Sequence, residues 1–167
     1  MTQDYTAETL EMLKRQEEEL VFDAFTSKDA LKLGSILVKL SEQYDREVSI
    51  RITRESDELV IFQYAGDTKT EANIVYMEGK RKASLEGGHC SAYVYVTNRL
   101  NHEFAYMFEK MPEYCPGAGA FPIMVNGIRT ATVSVSGLHD GKDHELIIRG
   151  LEEMLQRKTE EFPWILV

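Results

Sequence analysis

Four places in the chain bring together side chains able to do chemistry. His139, Asp140, Asp143 and His144 crowd six positions. Imidazole and carboxylate together are the ligands zinc or iron would choose. Asp140 and Asp143 have a competing role at the start of a helix, where acidic side chains meet the positive end of the helix dipole. Lys80-Arg81-Lys82 is a basic run in a chain of net charge −9. Arg81 suits bidentate contact with a carboxylate or phosphate, and the competing reading, the favoured one, is a solvated helix face. Thr130, Thr132, Ser134 and Ser136 share one face of a strand, able to hold a polar ligand or to form a wet or intersubunit sheet face; the second reading is favoured. His89-Cys90 beside Gly87-Gly88 pairs a nucleophile with a base, but sequence neighbours rarely face each other and no third orienting group stands nearby. No catalytic set emerges from these residues, and metal binding is not expected, with His139, Asp143 and His144 its weak candidates.

Hydrophobic spacing defines the strands and helices that hold these residues. The clearest block is GAFPIMVNGIRTATVSVSGLHDGKDHE, residues 119–145. Asn126-Gly127 signals a tight type I′ hairpin turn, which needs positive φ at both central residues. After it, Ala131, Val133 and Val135 alternate with the four hydroxyl residues, as in a strand with one apolar face. Upstream, Val48, Ile50 and Ile52 alternate with Ser49, Arg51 and Thr53. The denser run Leu59 to Tyr64 predicts a central strand covered on both faces, separated from the first by the polar turn 55–58. Two hairpins result.

Helices are predicted around them. Residues 6–22 favour helix by composition, with a thin stripe of Leu10, Leu13 and Leu20 that fits a surface helix or one packed on another subunit. Ser27 reads as an N-cap for a helix carrying Ala30, Leu33, Ile36, Leu37, Leu40 and Tyr44. Residues 70–100 read as helix interrupted at Gly87-Gly88, with a second helix from about Cys90 to Leu100. The aromatic-rich stretch 101–115 is a packing segment limited by Pro112. The last helix starts after Gly137, capped by Asp140 with Asp143 at its third position, and buries Ile147, Ile148, Leu151, Met154 and Leu155. Hairpins and helices together make an α+β arrangement, an antiparallel sheet covered by helices.

A chain of 167 residues with 43% apolar and 28% charged residues is expected to be one domain, 1–167, with an N-terminal helix at 6–22 and an apolar C-terminal arm at 162–167. That arm, Phe-Pro-Trp-Ile-Leu-Val, holds the only tryptophan. It is expected to dock on the edge of its own domain or, by preference, on a neighbouring subunit. The acidic charge argues against nucleic-acid binding. No apolar run approaches the ~20 residues of a membrane helix, so no membrane partner is expected. The acidic N-terminus does not read as a secretory signal, and Cys90 and Cys115, with no CxxC, read as thiols of a reducing cytoplasm.

These residues carry a family resemblance. Gly117, Gly119, Phe121-Pro122-Ile123, Gly127, Val133 through Leu138 and Asp143-His144-Glu145 resemble the C-terminal signature of the HbpS/GlcG-like, or haem-degrading-domain-like, family, in its small cytoplasmic branch. Asn73, Tyr76 and Lys80-Arg81 match an upstream motif of that branch. Lys82, Gly87-Gly88 and Tyr76 depart from residues common there, so any pocket they line differs from that of relatives. The resemblance runs from about residue 27 to 157. It implies a profilin-like layer fold and a homo-oligomer, a dimer or a larger ring. It points to Asn73, Tyr76, Lys80, Arg81, Ser136 and His144 as ligand-binding residues. The leading expectation is an oligomeric ligand-binding or assembly protein. One alternative is a haem- or tetrapyrrole-binding or degrading protein, for which His89, His102, His139 and His144 are the candidate ligands; the chain has no CxxCH for covalent attachment. The other is a partner-binding scaffold.

Overall fold

The structure is a computed structural model, and it describes residues 5–139 and 141–160. Its elements run α1 (Ala7–Glu19), α2 (Ser27–Ser41), β1 (Ser49–Arg54), β2 (Leu59–Ala65), α3 (Glu71–Gly87), α4 (Ser91–Asn101), α5 (Ala105–Glu109), β3 (Ala120–Val125), β4 (Ile128–Ser136) and α6 (Lys142–Leu155). The fold is α+β. The four strands form one antiparallel sheet in the order β2-β1-β4-β3, so the two sequence hairpins are joined through β1 and β4. Asn126 and Gly127 have φ of 50° and 78°, as the type I′ turn requires.

The β1–β4 register decides the two faces. Ile50 lies opposite Val135 and Ile52 opposite Val133, and these side chains share a face with Phe121 and Ile123. That face is sealed by α2 and α6, whose Leu33, Leu37, Leu146, Ile147 and Leu151 are buried with it in one core. Ser49 lies opposite Ser136, Arg51 opposite Ser134 and Thr53 opposite Thr132 on the other face, and α3 lies across it. The hydroxyl face is therefore neither wet nor open to another subunit: Thr132, Ser134 and Ser136 are buried beneath α3.

Several boundaries differ from the sequence expectation. Thr26 caps α2 in place of Ser27, because it can exchange hydrogen bonds with Asp29: the Asp29 N–H donates to Thr26 Oγ1 at 3.3 Å and the Thr26 N–H to Asp29 Oδ2 at 2.7 Å. β2 is an edge strand, not a central one. Its apolar run is half-covered, with Phe62 packed against Gly34 of α2 while Leu59, Val60 and Tyr64 are exposed. α1 is shorter than 6–22 and packs on α4 of its own chain, burying Thr9, Leu13 and Gln16. Glu17 fastens it, accepting from the Cys90 N–H at 2.9 Å and bonding His89 Nδ1 at 2.9 Å. Beyond α1, the Phe22 N–H donates to the Met124 carbonyl at 2.9 Å, which closes part of the β3 edge. Gly141 occupies the N-cap of α6, so Asp143 stands second in the helix, and the expected Asp140 cap lies outside the described residues. The arm 162–167 lies outside them as well.

Candidate functional site

The polar face of the sheet is where the sequence-predicted residues gather. Asn73, Met77, Lys80, Arg81 and Ser84 recur on α3 at the spacing that keeps one side of a helix on its neighbour. Asn73 reaches down at one end. Its Oδ1 accepts from the Thr70 N–H that opens the helix at 3.2 Å, and its Nδ2 donates to Ser136 Oγ at 3.1 Å.

Next along α3, Lys80 Nζ donates to Asp143 Oδ2 and to the Val135 carbonyl, both at 2.8 Å. Asp143 belongs to α6, on the opposite face, and its Oδ1 accepts from the Leu138 N–H at 3.0 Å. The pair clamps the two helical layers together around the end of β4. Gly119 makes room for the clamp, and Gly137 for the close pass of the chain by Glu47. Gly119 has φ of 128°, and a Cβ there would stand 2.5 Å from the Val135 carbonyl oxygen and 2.8 Å from Lys80 Nζ. Gly137 has φ of 138°, and a Cβ there would stand 2.5 Å from the Glu47 carbonyl oxygen. Burial raises the Asp143 carboxyl above its ordinary range, and Lys80 opposes that shift.

At the other end of the face, Arg81 is 3% exposed. Its Nε and Nη2 donate to the two oxygens of Glu55 at 3.0 and 2.6 Å, Nη2 also to Glu58 at 2.9 Å, and Nη1 to Glu78 at 2.8 Å. Thr132 Oγ1 donates to Glu55 at 2.6 Å. Burial works against the guanidinium charge, but these carboxylates outweigh it and raise the Arg81 pKa. Arg129, half-buried nearby, donates to Ser84 Oγ at 2.8 Å and to the Ser84 carbonyl at 3.2 Å, and desolvation lowers its pKa. The basic run is thus not a solvated face: Arg81 is buried, Lys80 is largely covered, and only Lys82 is exposed.

Of the predicted ligand-binding residues, the structure joins Asn73 to Ser136 and places Lys80 and Arg81 along the same seam. Tyr76 stands 44% exposed on the outer side of α3. His144 is elsewhere, fully buried on α6, with Nε2 2.8 Å from Gln16 Oε1 and its ring edge-on to Phe121. Burial lowers its pKa to about 3, so it is neutral near pH 7. Of the weak metal candidates, Asp143 is held by Lys80 and His144 by Gln16, while His139 is exposed. No group of three or more His, Cys, Asp or Glu among the described residues is arranged to hold a metal. His89 stacks on Tyr93 with ring centroids 3.9 Å apart and is tied to Glu17, so it does not serve Cys90, whose thiol burial pushes well up. Glu55, Asp143 as the partner of Lys80, Glu17 and Arg129 are the site residues that sequence reasoning missed.

Two cavities stand apart from this seam. One, of about 760 Å³, lies between α1, α6 and the segment after α6. The other, of about 250 Å³, lies beside Phe25, Arg54 and Ile61. Neither is lined by a histidine or a cysteine.

Comparison with known proteins places this geometry in a family. Residues 25–152 match the family described as haem degrading protein HbpS-like. A UPF0303 protein of Psychromonas ingrahamii is 33% identical over 160 residues, covering 93% of this chain and 97% of that protein. The crystal structure of Ybr137w protein superimposes with a TM-score of 0.79 at 23% identity, covering 88% of this chain and 87% of that one. The PduOC:heme complex superimposes with a TM-score of 0.65 at 11% identity, covering 83% and 99%. The chain belongs to the HbpS-like family.

Proposed function

We propose that this member of the HbpS-like family is an oligomeric ligand-binding or assembly protein, and that its copies meet on the side of the sheet where β2 lies. The observation that carries the reading is the character of β2. It is an edge strand with an outer row of backbone groups unpaired among the described residues, and it exposes Leu59, Val60 and Tyr64. Such an edge is a template for pairing with another chain, and a second copy supplies the same strand in a closed, two-fold contact. Val75 and Tyr76 on α3 are exposed as well.

The charged groups of the polar face support binding and assembly over catalysis. Arg81 and Asp143 are both engaged by the protein's own partners. In this reading the ligand contacts are on the rim of α3: Asn73 and Lys80 over Ser136, with Tyr76 beside them. Arg81 and His144 hold the elements beneath. Tyr76→Ala then weakens binding of an anionic ligand while the fold remains.

Haem is the second reading, favoured by the likeness to the PduOC:heme complex. The residues of a single chain do not fit it well. Neither cavity offers a histidine, and His144 is sealed in the core. His89, His102 and His139 are the remaining candidates. Titration with hemin separates the two readings: a Soret shift with fixed stoichiometry, lost in one histidine variant, establishes the second. Sedimentation tests the assembly itself: wild type larger than one chain and Val60→Glu reduced to a smaller folded species support it, and a wild type that stays a monomer overturns it.

A further inference from the structure

The larger cavity is a groove with an unusual position in the chain. Its floor is Leu40 of α2 and Ile148 of α6, one wall is Gln16 of α1, and the other is Arg149 and Glu152 of α6. Glu160, the last described residue, lines it. The segment leading there is strapped at each step. The Arg157 side chain donates to the Glu19 carbonyl at the end of α1 at 2.9 Å. The Thr159 N–H and Oγ1 donate to Glu152 Oε2 at 2.6 and 3.0 Å. Glu160 accepts from Arg15 at 2.7 Å, one helical turn closer to the start of α1. The chain therefore leaves α6, turns back, and runs along α1 over the groove.

Beyond Glu160 the sequence continues with Glu161 and then Phe162-Pro163-Trp164-Ile165-Leu166-Val167. Seven residues span at most ~25 Å when extended. The α6 wall of the groove, from Glu145 to Glu153, rises by ~12 Å. The arm is long enough to run the whole groove, and Pro163 keeps it from continuing as helix. Its five large apolar side chains need cover from water. The groove offers an apolar floor flanked by Arg149 and Arg157, whose guanidinium groups are held by Gln43, Tyr44 and the Glu19 carbonyl, which leaves their aliphatic stems to cover an aromatic ring.

We propose that the chain's own C-terminal arm turns into this groove and lays Trp164 against Leu40 and Ile148. The occupant is the same chain, because the Arg15–Glu160 and Glu152–Thr159 bonds deliver the arm to the groove of its own domain. α1, α2 and α6 are thereby stapled together, and the arm is not the subunit contact.

Trp164 is the only tryptophan, so its fluorescence reports on the arm alone. A nitroxide on Glu153→Cys, at the exposed rim of the groove, should quench Trp164 severalfold, and the same label on Lys82→Cys, on α3 across the sheet, should not. Cys90 and Cys115 are buried and are not expected to take the label. The quenching should be unchanged on dilution. Leu40→Glu should shift Trp164 emission to the red while circular dichroism stays native. Three results overturn the proposal: solvent-exposed Trp164 emission in the wild type, equal quenching from both labelled positions, or quenching that appears when unlabelled full-length protein is mixed with labelled copies lacking 162–167. The last would place the arm on a second copy.

Discussion

On one face of the sheet, Ile50, Ile52, Val133 and Val135 are sealed beneath α2 and α6; on the other, Ser49, Thr53, Thr132, Ser134 and Ser136 are sealed beneath α3. Both faces exclude water, by different physics. The apolar face is held by area, at about 25 cal/mol for each Å² buried, and this force has no direction. The polar face is held by bonds that work at one geometry only. Arg81, Glu55 and Thr132 satisfy one another, as do Lys80, Asp143 and Val135. Replacing a buried ion pair as a whole by apolar groups is often harmless, whereas removing one partner leaves an uncompensated charge. The apolar face should therefore tolerate changes of shape, and the polar face should not tolerate changes of kind.

The largest effect should come from the polar face. Arg81→Ala leaves Glu55, only 9% exposed, without its partner, and is expected to lower stability by about 3–5 kcal/mol in urea unfolding. Arg81→Lys should recover little, because an ammonium cannot reproduce the two-pronged contact with Glu55. Arg81→Met with Glu55→Gln should recover much of the loss. On the apolar face, Leu37→Met should cost less than about 1.5 kcal/mol. A loss at Leu37→Met equal to that at Arg81→Lys would break the contrast.

Acid should act next. His144 has its pKa lowered to about 3 by burial, against an ordinary value of 6.5. Between those values the unfolded chain binds the extra proton, so stability is full above pH 6.5 and falls as pH drops toward 3. The loss is at most about 5 kcal/mol. Asp143, raised by burial, acts in the opposite sense: stability it contributes is full below its ordinary value and falls as pH rises through its folded one. His144→Gln should flatten the acid limb of a stability–pH curve, and an unchanged limb would place the titrating group elsewhere.

Smaller effects lie at the ends of elements. Gly127→Val forces a β-branched residue to φ of 78° and should cost about 1–3 kcal/mol, read as a drop in melting temperature. Thr26→Ala removes the cap of α2 and should cost about 1 kcal/mol.

The two faces also differ in how far the sequence discloses them. Alternation in 48–53 and 130–136 and the stripes of α2 and α6 are enough to place the apolar face, because each depends on spacing within one element. The α3 spacing of Asn73 and Lys80 is legible for the same reason. Their partners are not: Arg81 meets Glu55 across 26 positions, and Lys80 meets Asp143 across 63. Glu55 reads as a turn residue and Asp143 as a helix-start acid, since local context gives each a sufficient role. The thin stripe of α1 conceals that Gln16 and Glu17 are its anchors, to His144 and to the start of α4. β2 misleads in the other direction. Its apolar density suits a strand with both sides covered, and composition does not say whether the cover is the strand's own chain.

Whether a second copy supplies that cover is decided by sedimentation equilibrium of wild type beside Val60→Glu. Val60 is 39% exposed on the edge strand, so the substitution leaves the core of the single chain untouched. Assembly through β2 predicts a wild-type mass of at least two chains and a folded variant of lower mass. A wild type at the mass of one chain across the whole concentration range would contradict it.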